Sequence, residues 1–269
     1  MKRSGEVVVN QVVLGVMAVL VLAPVVVFLL TALSPDISGR PALTQLTWGN
    51  FVEAWHVADL GRAMGVSLTI SVCAVAGQLL LALLGGFAFG VLGVTGEKVL
   101  FPVLLLGMMI STEAIIVPLY FQFRDVGLVG TLPGILLIHL GMGVPFGVFW
   151  LRAAFRALPR SVFEAAELDG AGPLTTLRLL GAPMVRPAIY TLALLSFMWT
   201  WNDYFLSLVF LQGDLQPATV ALGSFQGRYT TQINLLAAAG LIVAAPVLGL
   251  YVLFQRRFIA GMLAGSIKE

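Results

Sequence analysis

The sequence predicts an all-α membrane protein with six transmembrane helices, and three observations carry that prediction. Of its 269 residues, 59% are hydrophobic and only 10% are charged, a balance outside the range of ordinary soluble domains. The apolar residues fall into runs long enough to cross a hydrocarbon core of about 30 Å, which takes roughly 20 residues of helix. The lysines and arginines, finally, gather in alternate connections between those runs. One transmembrane domain over residues 1–269 accommodates the whole pattern.

In chain order, Lys2 and Arg3 open a short polar start, and residues 12–33 form the first apolar run. Ala32-Leu33-Ser34 resembles a small-residue cleavage site. The run, however, exceeds the roughly 7–15 residues of a signal-peptide apolar region, and Pro35 would follow the cut directly. A retained span is expected. Residues 34–61 are polar and turn-rich, with Trp48, Phe51 and Trp55 spaced for one helix face. That predicts an amphipathic helix at the membrane interface, where Trp is favoured. His56 lies in this segment without ligand partners.

The second span, 66–92, is rich in Gly and Ala, which lets transmembrane helices approach closely. Gly93 to Lys98 makes a turn, followed by a third span at 99–123 and a fourth at 132–152. Residues 159–183 form a polar interruption. A fifth span at 188–211, a polar loop at 212–232 and a sixth span at 235–254 complete the set. With the N-terminus inside, eleven basic residues face the cytoplasm: Lys2, Arg3, Lys98, Arg152, Arg156, Arg160, Arg178, Arg186, Arg256, Arg257 and Lys268. Only Arg40, Arg62, Arg124 and Arg228 face outside. Both termini and the 159–183 loop are therefore expected on the cytoplasmic side. Arg152, Arg156 and Arg160 recur at four-residue spacing, suited to anionic headgroups at the end of span four.

Composition also excludes. A net charge of +2 does not point to nucleic acid, and the single cysteine, Cys73, excludes a disulfide framework or a Cys-based metal site. No phosphate-binding G-x-x-x-x-G-K-[ST] loop is present; the nearest stretch, Gly90 to Lys98, has Glu97 where lysine should follow Gly96. This chain is not expected to bind ATP, a metal or any cofactor, or to be an enzyme.

Within 159–183, Ser161 and Glu164 have capping-box spacing, and Pro159 suits a helix start. The helix should stop near Gly170, with Gly172 and Pro173 blocking continuation. Phe163, Ala166 and Gly170 share one face at helical spacing, small enough to lie close to another protein. From these residues alone, an ordinary capped surface helix remains equally open.

Charges inside spans are functional candidates because burial in lipid is costly. Glu113 in span three and His139 in span four lie at depths within one helical turn of each other, about 21 Å and 12 Å from opposite ends. They are a candidate hydrogen-bonded pair, unless each finds its own partner. Trp201-Asn202-Asp203 in span five could stack on a sugar ring and bind its hydroxyls. An interfacial aromatic belt with a polar clamp between helices is the competing account.

Glu164-Ala165-Ala166, then Gly170 three residues on, then Leu180-x-Ala182-Pro183, resembles the cytoplasmic E-A-A loop of ABC importer permeases, where the pattern closes on I-x-L-P. Further stretches resemble the carbohydrate-uptake branch of maltose-system type: Trp199 to Tyr204, Val117 to Tyr120 with Gly127-Leu128, and Pro145 to Phe149 with Leu151-Arg152. The tail from Arg257-Phe258 through Gly261 to Gly265, with Lys268, agrees. The resemblance covers nearly the whole chain and is closest to the shorter, MalG-like permease, with its MetI-like fold.

That resemblance implies half of a translocation pathway for a sugar or oligosaccharide in a bacterial or archaeal plasma membrane. It implies a second permease subunit, two cytoplasmic ATPase subunits that bind ATP and Mg, and an extracytoplasmic solute-binding protein. Glu164, Ala165, Ala166, Asp169, Gly170 and Pro183 would couple to the ATPase. Gly213, Asp214, Gln226 and Arg228, in the loop between spans five and six, would face the binding protein. A permease for another solute, such as a glycerol phosphate diester, is the alternative within the class. A stand-alone secondary transporter is the alternative outside it, although no internal repeat is visible.

Overall fold

A computed structural model describes residues 2–36, 45–227 and 231–264. Its helices are α1 (Lys2–Leu33), α2 (Gly49–Val57), α3 (Leu60–Phe87), α4 (Glu97–Leu106), α5 (Thr112–Asp125), α6 (Leu132–Arg156) and α7 (Arg160–Leu168). The remainder are α8 (Pro173–Thr176), α9 (Ala182–Met184), α10 (Arg186–Trp201), α11 (Phe205–Phe210), α12 (Ala218–Ala221) and α13 (Ile233–Ala264). Among the described residues, four helices are long and apolar enough to cross a membrane, or six if two bent pairs, Glu97–Met109 with Thr112–Asp125 and Pro173–Met184 with Arg186–Trp201, each count as one span. The chain forms two compact units, residues 1–64 with 221–246, and residues 65–220 with 247–269.

In the first unit, α1 continues unbroken through Ala32 and Leu33. The expected interfacial segment folds as α2, with Trp48 largely exposed and its ring 5.4 Å from that of Phe51. Buried Asn50 stitches this unit together. Its Nδ2 donates to the Ala32 and Ser34 carbonyls, at 2.8 and 2.7 Å, and its Oδ1 accepts from Asn234 Nδ2 at 3.3 Å. Those carbonyls lie at the C-terminal end of α1, where helix geometry leaves acceptors unused.

In the second unit, α3 packs along α6 through a seam of glycines. A Cβ built on Gly77, Gly85 or Gly86 would lie 2.7, 2.7 or 2.8 Å from Leu140, Val148 or Leu151. From the other side, Gly147 would meet Ala82 at 2.7 Å. Without a side chain on one partner the backbones close up, and van der Waals contact replaces the hydrophobic drive that lipid cannot supply. Trp150 Nε1 then ties α6 to α10 by donating to the Ala188 carbonyl at 3.0 Å.

Two expected spans are not straight. Span three breaks at Ile110 and Ser111, both extended, and α5 leaves the line of α4 by 97°. Gly107 weakens the helix just before the break. The Thr112 hydroxyl lies 4.0 Å from Met142 Sδ. Span five ends at Trp201 and restarts as α11 after Asn202–Tyr204.

Candidate functional site

The polar loop after α6 is built on an aromatic floor. Phe87, Leu151, Phe155, Leu177, Val185 and Leu192 are buried together, and Phe163 packs against them. The Phe87 ring meets those of Phe155 and Phe163 edge-on at 5.5 and 6.0 Å. Phe163 and Ala166 thus turn towards the chain's own core, and Ala166 is buried. The face expected to meet another protein is largely an internal one; only Gly170, of its three residues, is exposed. Glu164, Ala165, Glu167 and Asp169 are exposed, and Leu168 is 89% exposed. Leu168 was not singled out from sequence. Its signal was an apolar residue out of phase with Phe163 and Ala166.

The capping box does not form. Helix α7 begins one residue before Ser161, with Pro159 at its N-cap and no side-chain cap, so the serine lies inside the first turn. The C-terminus follows expectation. Gly170 has φ +78°, its N–H donates to the Glu167 carbonyl, and the Ala171 N–H donates to that of Ala166 at 2.9 Å. This pair of bonds is the Schellman arrangement, which a residue without Cβ adopts freely. Pro173 opens α8, and Pro183, expected to close the segment, sits in the first turn of α9 leading into α10. A cavity of about 700 Å³ lies beside the loop, lined by Phe87, Phe155, Arg156, Arg160, Glu164 and Glu167.

An ion cluster secures the same end of α6. Glu97 Oε1 accepts from Arg152 Nη2 at 2.5 Å and from Arg156 Nη2 at 2.6 Å. Arg152 Nε lies 3.2 Å from the Phe89 carbonyl, and the guanidinium sits 3.9 Å above the Phe101 ring. Two of the arginines spaced for lipid headgroups are therefore engaged by a carboxylate. The Arg152 hydrogen bond holds the Glu97 carboxyl below the usual range, the charges of Arg156 and Arg152 add to this, and partial burial opposes it.

The intramembrane candidates separate into two groups. His139 is buried, with Nε2 3.9 Å from Asp203 Oδ2, and Gln78 Nε2 donates to its backbone carbonyl at 2.8 Å. Glu113 is exposed at the start of α5 and accepts from the Ser111 hydroxyl. The expected Glu113–His139 pair does not exist; the depth argument assumed a straight third span, and the 97° bend removes that premise. Asp203 caps α11, accepting from the Leu206 and Ser207 N–H groups at 3.3 and 3.0 Å and from the Ser207 hydroxyl at 2.7 Å. Trp201 is buried and stacks on Phe197 at 5.5 Å. Asn202 is exposed, and its Nδ2 bonds the Met198 carbonyl.

In the loop that follows, Gly213 and Asp214 are exposed in a short turn, and Gln226 pairs with Thr231 in an isolated bridge. Arg228 lies outside the described residues, as do Arg40, Gly265 and Lys268.

Apolar spans, two of them broken, and a folded polar loop seated on their end define a polytopic membrane protein. Residues 78–263 match the model of the binding-protein-dependent transport system inner membrane component, and the chain belongs to that family. It is an ABC importer permease. It is 33% identical over 229 residues to the osmoprotective compounds uptake permease protein GgtD of Synechocystis, covering 84% of this chain and 77% of the relative. It is 32% identical to the melibiose/raffinose/stachyose import permease protein MelC of Bacillus subtilis, covering 83% and 82%. The fold matches a chain of a bacterial ABC transporter that imports the acidic polysaccharide alginate, with a TM-score of 0.82 at 22% identity, over 95% of this chain and 98% of that one.

Proposed function

We propose that this chain forms half of the pathway of an ATP-driven importer for a sugar or oligosaccharide. In this reading it pairs with a second permease and receives substrate from an extracytoplasmic binding protein. Two cytoplasmic ATPase subunits drive it, both termini lie in the cytoplasm, and the tail from Arg256 reaches the ATPase pair. The observation that carries the reading is the 159–183 loop, seated on buried Phe87 and Phe155 while presenting Glu164, Ala165, Leu168 and Asp169 outward. A helix so anchored can pass a push from an ATPase into α6 and α10 rather than absorb it. The sugar class is supported by the names of relatives such as the melibiose/raffinose/stachyose permease. The loop at 212–231, with Gly213, Asp214, Gln226 and Arg228, would meet the binding protein.

The test is affinity purification of the tagged chain in mild detergent, followed by reconstitution of what accompanies it. A second permease and an ATPase, with ATP-dependent uptake of an oligosaccharide, are expected. Uptake by the chain alone without ATP would overturn the reading in favour of a secondary carrier, and ATP-dependent uptake of osmoprotectants or glycerol phosphate diesters only would overturn the sugar class.

A further inference from the structure

We propose that the break in span three lines the water-filled pathway, and that Glu113 there hydrogen-bonds the hydroxyls of the passing carbohydrate. This rests on the sugar-importer reading and adds a substrate contact on this subunit. Two independent costs point to the same place.

The first cost is backbone. Ile110 (φ −82°, ψ 120°) and Ser111 (φ −67°, ψ 134°) are extended and exposed, between a short 3₁₀ turn at Gly107–Met109 and α5. The 10 residues of α4 and the 3 of that turn put the break about 20 Å along the chain from Glu97. In hydrocarbon, unbonded N–H and C=O groups are tolerated only where they are covered by protein or face water.

The second cost is charge. Glu113 is exposed beside the break, and among the described residues no cation pairs with it. An ionisable side chain within a span faces a bundle interior or a water-filled cavity rather than lipid. Water along this face satisfies both requirements at once.

The chemistry suits a neutral polyol. The Ser111 hydroxyl donates to Oε2 of the carboxylate, and an ionised carboxylate has about four acceptor sites, enough to accept a substrate hydroxyl as well. Met109, 80% exposed, ends the turn just before the break, and an unbranched thioether adapts to the C–H face of differing sugar rings. Of the other intramembrane candidates, Asp203 is committed to its cap and Trp201 to Phe197.

The experiment uses the assembled importer in proteoliposomes. Cysteines at Glu113, Met109 and buried Ile116 are introduced one at a time over Cys73→Ala and probed with a membrane-impermeant charged maleimide. The unmodified importer is first assayed for uptake of radiolabelled oligosaccharides, so a failure of the sugar reading appears before any cysteine is read. We expect the Glu113 and Met109 positions to label, Ile116 not to label, and the transported sugar to slow labelling at the first two. Glu113→Ala should raise the KM for uptake about tenfold, the loss of one hydrogen bond to a charged acceptor, with Glu113→Gln closer to the parent. Absence of labelling in every nucleotide state would assign the break to a protein or lipid contact. Labelling that the transported sugar leaves unchanged would remove the substrate role. Either result overturns the proposal.

Discussion

The two polar interruptions of this chain are built in opposite ways. The loop at 159–183 rests on a buried aromatic cluster and beside an ion cluster that pins the end of α6. The break at Ile110–Ser111 has a weak Thr112–Met142 contact on one side and an exposed carboxylate on the other. Dense packing transmits displacement, because a close-packed interior has no slack to absorb it. Sparse packing leaves polar groups free to meet a solute. The two proposals place force in the first region and recognition in the second.

The largest expected effect breaks the first region. Gly170→Asp places a side chain at φ +78° and a charge at the loop's outward surface. Uptake should be abolished with the protein still in the membrane, as read by immunoblot of membranes beside transport; retained transport would remove the loop from coupling. Next, Phe155→Ala opens the floor under the loop, at a cost of about 3–5 kcal/mol, measured as a lowered unfolding midpoint of the purified complex. Asp203→Ala removes a helix cap and should cost about 1 kcal/mol. Asp203→Asn, which keeps an acceptor, should cost less, and an equal loss would point to the His139 contact instead.

The smallest effect is a pH dependence. Because Arg152 and then Arg156 hold the Glu97 carboxyl below its usual range, its contribution is fully present above the ordinary carboxylate range. It is lost as pH falls through the lowered value. Unfolding midpoints of the parent should therefore drop in acid relative to Glu97→Gln, and parallel pH curves would show the cluster to be inert. The change should be modest, since Arg156 is half exposed.

The long spans were legible because run length and charge placement are dictated by the bilayer itself. The end of α7 was legible for a local reason, since Gly170 alone can take the left-handed turn without penalty. The break in span three was not. Met108, Met109 and Ile110 keep the hydropathy high straight through it, leaving Gly107 and Ser111-Thr112 as the only local hints. The partner of His139 was hidden for the same reason, because depth along a helix predicts proximity only while the helix is straight. The inward turn of Phe163 and Ala166 depended on Phe87, more than seventy positions earlier in the chain, which no local pattern reveals.

One consequence follows from α6 being a single element of 25 residues from Leu132 to Arg156. Such a rod is about 37 Å long, so a rocking of about 5° at its ion-paired end sweeps the far end through about 3 Å. That is about the width of a water molecule. In the proposed importer, a small stroke delivered at one face would therefore be enough to admit or expel water at the other.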